Sequence, residues 1–306
     1  MKKLISTLIA AAMLTAGVGV FAETEEKDPT GIHITDPETG EYELTYDEGE
    51  DYIGTVSVEL KNYVDAHAND VIKRDKNLEE SAADLVAEDI LVGFPDGDYH
   101  ENEYVTRAQM AVFMTRVSFG LNYSKLDREG IVRYAITTSE PFSEIPDEIV
   151  NEYAPEYPDL PEDHWAYTEL MMSGVAEGYE DGTMRPDNNV TYLEAATMLV
   201  RRGGYATLIE EKGGYPDGVL YWADNMKLFE RTNAEGNLDQ PATRGDIIIM
   251  ISTLLDSPVA GRFDKECRHS ETIQQMPLTL RQYRDFRNVG ETDPYIIVPA
   301  QTQSEE

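Results

Sequence analysis

The sequence predicts a mainly α fold in which three similar helix–loop–helix units share one hydrophobic core. Two observations lead there. The stretch "GFPDGDYHENEYVTRAQMAVFMTR", from Gly93 to Arg116, returns without a gap 85 residues later as "GYEDGTMRPDNNVTYLEAATMLVR", Gly178 to Arg201. In addition, three strongly apolar stretches, "MAVFMTRV", "AATMLVR" and "IIIMISTLL", each follow a threonine with Gln, Glu or Asp three residues on: Thr106 with Gln109, Thr191 with Glu194, Thr243 with Asp246. A threonine at a helix start accepts from the amide three residues ahead, while the longer polar side chain there reaches back to the threonine's own N–H. Helices apolar on most faces are buried helices, so three of them point to a common core.

The N-terminal stretch "MKKLISTLIAAAMLTAGVGVFAETEEK" joins two lysines to an apolar run, Leu4 to Phe21, with small residues at Val20 and Ala22. This is the pattern of a secretory signal over residues 1–22, cleaved after Ala22. Ser6, Thr7, Thr15 and the glycines interrupt the run and suit a retained membrane anchor less well. No later stretch is long and apolar enough to span a bilayer, so the expected product is exported and soluble. Removing 22 of 306 residues leaves 284, and losing Lys2 and Lys3 takes the net charge from −34 to −36. So acidic a surface disfavours nucleic acid and anionic lipid, which need basic patches. Its plain reading is solubility.

Residues 23–55 form an acidic lead-in, in which positions 23–52 carry twelve acids against Lys27 alone. "IHITDPETGEYELTY" has the makings of a small hairpin turning at Asp36-Pro37-Glu38-Thr39-Gly40, though disorder suits its composition as well. From Val56 the recurrence of Val56, Leu60, Tyr63, Val64, His67 and Val71 predicts an amphipathic helix to about Lys73. His67 is more naturally a packed residue than a ligand. A second helix is expected over Leu78–Leu91, stopped at Gly93, then a tight turn at Pro95-Asp96-Gly97, then the helix capped by Thr106.

The helices before the second and third loops match too. "EDHWAYTELMMSGVAEGY" and "VLYWADNMKLFE" place Trp165-Ala166 and Trp222-Ala223 near their starts, whereas the first unit has no tryptophan there. The third loop, "ERTNAEGNLDQPATR", lacks the Asp-Gly turn in register. The units thus fall at 56–120, 157–204 and 205–260, with a connection at 121–156 and a C-terminal tail at 261–306 that holds a short helix near Leu278–Phe286.

The order "YPDLPEDHWAY", "GYEDGTMRPDNNVT", "LEAATMLVRR", with "LDQPATRGDIIIMISTLLDSPV" as a closing repeat, resembles the S-layer homology repeat of bacterial surface proteins. The likeness covers residues 56–260 and is most specific over Tyr157–Arg202. It implies three units about a pseudo-threefold axis, each giving one helix to a central bundle. It also implies non-covalent anchoring to the secondary polysaccharide of a Gram-positive type of wall, often pyruvylated, in grooves between units, through the arginine of a Thr-Arg-Ala-Glu motif. Thr106-Arg107 and Thr243-Arg244 match that motif in part; in the second unit Tyr192 replaces the arginine.

The chemistry of these residues suits such a ligand. A helix N-terminus offers amides and partial positive charge to an anion, and an arginine after the cap adds a planar donor fork. Pairing of Arg107 and Arg244 with the abundant local carboxylates is the plainer alternative. Tyr192 can stack or hydrogen-bond but brings no charge. Trp165 and Trp222 can offer faces to sugar rings or simply pack between helices. Asp96, Gly97, Asp181 and Gly182 are expected to shape the turns beside the grooves.

Three other readings compete. The five histidines show no His-Glu-x-x-His spacing and no Gly-x-Ser-x-Gly elbow occurs, so no enzyme, cofactor or metal site is expected. "PDGD" and "YEDG" lack the ligand series of a calcium-binding EF-hand loop, although a calcium-stabilised surface-layer component remains a rival. A wall-bound adaptor using its tails to hold other surface-layer proteins is another. Cys267 has no second cysteine to pair with in the chain.

Overall fold

Side-chain caps mark where five of the described helices begin. The computed structural model describes residues 31–36, 41–45, 50–121, 123, 125 and 156–287. The signal segment 1–22, the acidic stretch 23–30, the hairpin turn 37–40, most of the connection 121–156 and the tail from 288 lie outside the described residues. Thr106 and Thr191 make both halves of the expected box, opening α3 (Arg107–Phe119) and α5 (Tyr192–Arg202). Thr243 makes only the first half at α8 (Arg244–Leu255), accepting from the Asp246 N–H. Asp246, one methylene shorter than Glu, turns its carboxylate to the Tyr192 hydroxyl and Asn233 instead. Two boxes the sequence reading overlooked, Asn77 with Glu80 and Thr279 with Gln282, open α2 (Leu78–Ala87) and α9 (Leu280–Phe286).

The remaining elements are α1 (Glu50–His67), α4 (Tyr167–Met172), α6 (Ala206–Glu211), α7 (Asp217–Met226) and two antiparallel strand pairs. β1 (Gly31–Asp36) pairs with β2 (Glu41–Thr45), Gly31 facing Thr45, so the expected lead-in hairpin is present in its strands. α1 begins before Val56 and stops at His67, six residues short of the expected end at Lys73.

The segments leading into α3, α5 and α8 meet at one place. The Val190 N–H donates to the Val105 carbonyl at 2.9 Å, the Ala242 N–H to the Val190 carbonyl at 2.9 Å, and the Val105 N–H to the Ala242 carbonyl at 3.2 Å. The three bonds close a cycle, and Val105, Val190 and Ala242 are each fully buried. Flanking bridges pair Thr106 with Asn189, Thr191 with Pro241 and Tyr104 with Thr243.

Helix packing follows the same cyclic order. α4 lies on α3, α7 on α5 and α2 on α8, so the helix before each loop packs on the capped helix of a different stretch rather than on the one that follows it. Leu85, Met110, Met114, Leu199, Ile247, Met250 and Leu254 belong to the resulting single core.

The C-terminal stretch is more ordered than its polar composition suggested. β3 (Pro258–Phe263) and β4 (His269–Thr279) form a hairpin, and Leu278, Leu280 and Tyr283 reach the core. Arg281 bonds Asp84 at 2.7 Å and Glu88 at 2.5 Å on one side and Asp256, the residue that ends α8, at 2.9 Å on the other. Lys76 joins Asp84 and Asp256 from a second direction, at 2.8 and 2.7 Å. Arg284 bonds the carbonyls of Arg116 and Val117 near the end of α3, and that of Glu88. Together these cations tie α2 and the end of α3 to the end of α8.

Burial alone would raise the Asp84 carboxyl, but its bonds to Lys76 and Arg281 outweigh that and hold it below the ordinary 3.8. Its stabilising share is therefore present above the unfolded pKa and lost as pH falls through the folded value. Arg281→Ala should cost about 3 kcal/mol, because it leaves the largely buried carboxylates of Asp84, Asp256 and Glu88 short of a partner. Urea unfolding at pH 7 checks the size, and the same variant should lose less stability than the wild type on acidification.

Candidate ligand-binding grooves

The residue after each cap projects into a seam between stretches of chain. At all three seams the first amides of the capped helix are already used. Arg107 and Ala108 donate their N–H groups to the Asn188 and Pro186 carbonyls, Tyr192 and Leu193 to those of Gln240 and Leu238, Arg244 and Gly245 to those of Glu103 and Glu101. The expectation that free helix amides would greet an anion is therefore corrected: neighbouring loops have taken them. The caps Thr106 and Thr243 likewise spend their hydroxyls on the Gln109 and Asp246 amides. What remains for a ligand is side-chain chemistry, and the three seams differ in it.

Arg107 is buried and its donors face protein acceptors. Nε donates to the Met184 carbonyl at 2.9 Å and Nη2 to the Glu177 carbonyl at 2.8 Å, while Nη1 lies 3.9 Å from a Glu194 oxygen. The Tyr179 ring covers the guanidinium at 4.6 Å. Asp181 accepts from the Thr183 hydroxyl, Arg185 and the Thr183 amide, which hold its carboxyl down at about 2. Gly182 beside it sits at φ +81°, a conformation that favours glycine.

Tyr192 is also buried, and its hydroxyl donates to Asp246, which also accepts from the Asn233 amides. Burial, then the bond to Asp246, pushes the phenol up to about 12. The set of sugar-facing candidates loses Tyr192 on this geometry, since its ring is buried and its hydroxyl is bonded. Trp222 leaves it for the same reason: only 9% exposed, it donates its indole N–H to the Leu208 carbonyl and packs against Tyr205. Trp165 differs, being 55% exposed at the start of α4 beside His164.

Arg244 presents the opposite case. It is 8% exposed, lies 4.9 Å from the Phe94 ring centre and 5.2 Å from that of Phe113, and its buried Nε has no hydrogen-bond partner. It makes no ion pair with a carboxylate among the described residues. Burial, then repulsion from Arg116, pulls its guanidinium below the ordinary 12.5, with Glu103 partly opposing. A buried cation with this little compensation is costly to keep. Gly245 allows a close approach here, because a β-carbon would stand 3.1 Å from that of Glu101 and 3.2 Å from its carbonyl oxygen.

The loop over Arg244 is braced by His100, whose ring nitrogens lie 2.8 Å from Asp96 and 2.9 Å from Glu103 and whose ring sits 4.3 Å from Phe94. Asp96 also accepts from the Asp98 amide, and Gly97 turns the chain at φ +83°. The sequence reading missed Phe94 and Tyr179. Their signal was present: both fill the second position of the repeated Gly-x-x-Asp-Gly, and each covers the arginine of another stretch. It also missed Tyr104, 54% exposed and bridged to Thr243 beside Arg244.

Comparison with known proteins finds a domain match over part of the chain. Residues 156–196 match the S-layer homology domain. The chain carries an S-layer homology domain. Relatives over a longer span include the "Middle cell wall protein" of Brevibacillus brevis, 26% identical over 67% of this chain and 17% of that protein. The "Cell surface protein" of Thermoanaerobacter kivui is 24% identical over 63% of this chain and 22% of its own length. An "Endoglucanase" of Bacillus sp. is 28% identical over 56% of this chain and 17% of its own. The chain thus spans less than a quarter of the length of these curated relatives. The S-layer homology domain and the first two of these names place it with cell-wall and cell-surface proteins. Among the described residues no helix is long and apolar enough to cross a membrane, and no group of three or more His, Cys, Asp or Glu is placed to hold a metal ion.

The bonds of His100 to Glu103 and then Asp96 raise its pKa above the ordinary 6.5. The bridge it makes is therefore fully present below the unfolded pKa and lost as pH rises through the folded one. An NMR titration should place the His100 midpoint above that of an unstructured histidine, and His100→Gln should remove the matching pH-dependent change in the Phe94 ring signals.

Proposed function

We propose that this protein anchors itself, without covalent linkage and without catalysis, to the bacterial cell wall by binding an acidic secondary polysaccharide. In this reading residues 56–120, 157–204 and 205–260 are three S-layer homology units about a pseudo-threefold axis. The cyclic hydrogen bonds at Val105, Val190 and Ala242, and the cyclic packing of α2, α4 and α7, support that arrangement. The observation that carries the ligand class is Arg244, a buried guanidinium between two aromatic rings with its Nε unbonded. Arginine keeps its charge across the working pH range, so it serves as a fixed anion receptor rather than a proton donor.

A carboxylate on a sugar, such as a pyruvate ketal, fits both the charge and the planar fork of the guanidinium. Local placement of the cation matters because the chain as a whole carries a formal charge of −34 and repels anions at long range. Binding should therefore strengthen as salt rises from low values, until direct pairing is itself screened.

Cosedimentation with purified wall sacculi tests the reading. The protein should pellet with intact sacculi and stay in solution once the secondary polysaccharide has been extracted. Undiminished pelleting with extracted sacculi would assign the ligand elsewhere in the wall.

A further inference from the structure

The three seams look alike in backbone and unlike in what their side chains still have to offer. We propose that the chain has one competent ligand groove, at Arg244, with Tyr104 as its exposed wall, while the other two seams are filled by the protein's own groups. This rests on the proposed function above and narrows it to one site per chain.

Donor supply separates the two arginines. A guanidinium has five N–H groups and no acceptor. Arg107 directs Nε and Nη2 at two main-chain carbonyls, and its third nitrogen faces Glu194. A ligand anion there would have to break bonds already made within the protein. Arg244 makes no such bonds among the described residues, only ring contacts, and its buried Nε has no partner there. A ligand carboxylate there supplies an acceptor that the fold lacks. The charge environment agrees: Arg116 is close enough to repel Arg244, and its own buried Nε also lacks a partner.

The third seam carries no cation at the matching position. Tyr192 spends its hydroxyl on Asp246, and Asn233 completes the set. An incoming carboxylate would meet a buried carboxylate, which repels it.

The wall residue differs as well. The residue two places before each cap is Tyr104, Asn189 or Pro241, and these bridge to Thr243, Thr106 and Thr191 respectively. The seam with the unpaired arginine is therefore the one that receives a tyrosine, and that ring is 54% exposed. An exposed aromatic face beside a buried cation suits a sugar ring that bears an acidic substituent.

Isothermal titration of the purified chain with single-repeat oligosaccharide released from the extracted wall polysaccharide tests this. One site per chain is expected. Arg244→Gln should abolish binding, Tyr104→Ala should weaken it about tenfold, the scale of one lost contact, and Tyr104→Phe should preserve it. Arg107→Gln should lower the melting temperature while keeping the site. Should that variant fail to fold, the wild-type Nε–H signals give the same answer: Arg244 should move on titration and Arg107 stay still. Two or three sites, or movement of Arg107 instead, would overturn the single groove while leaving wall anchoring in place. Absence of both sugar binding and cosedimentation would remove both.

Discussion

A closed cycle of three peptide hydrogen bonds, through Val105, Val190 and Ala242, sets the positions of everything near the grooves. Each residue of the cycle is buried, so a bond lost there would leave a desolvated donor and acceptor without replacement by water. The residue after each of these is a cap, and the next one points into a seam. The geometry of cap, helix start and seam thus follows from one arrangement, repeated three times by different stretches of the chain.

Two junctions of the cycle are helped by the continuity of the chain, because α3, α5 and α8 follow one another in sequence. The junction that brings α8 back to the first loop and to α2 has no such help. There the C-terminal stretch acts: Arg281, together with Lys76 just before α2, spans Asp84 and Asp256, and Arg284 takes the carbonyls at the end of α3. The groove of Arg244 lies at the other end of that same junction, where Arg244 and Gly245 donate to Glu103 and Glu101. The one helix α8 thus reaches both the closing junction and the seam of Arg244.

Much of this was legible in the sequence because caps and apolar helices are local signals. Thr106, Thr191 and Thr243 start the helices that their neighbours announced. Legibility ended where the outcome depends on another part of the chain. Arg107 and Arg244 have the same local context, yet one is bonded by carbonyls of a distant loop and the other lies between rings with its Nε unbonded. Trp165 and Trp222 share a dipeptide, yet one is exposed and the other holds the Leu208 carbonyl. The helix amides looked available because their acceptors lie in distant loops, such as Glu101 and Glu103 for the amides of Gly245 and Arg244. The β3–β4 hairpin escaped notice because the first seven residues of β4 are mostly polar and none is buried, and its buried residues, Val259, Ala260, Met276 and Leu278, form no long alternating run.

The central claim is that the three capped segments hold one another in a cycle and open only together. Native-state hydrogen exchange at the amides of Val105, Val190 and Ala242 tests it directly. The account predicts that all three exchange with the same free energy, equal to that of global unfolding, and that all three shift equally in the presence of denaturant. If one of them exchanged through a separate, low-energy opening while the other two stayed protected, the cycle would not be the constraint that organises the fold.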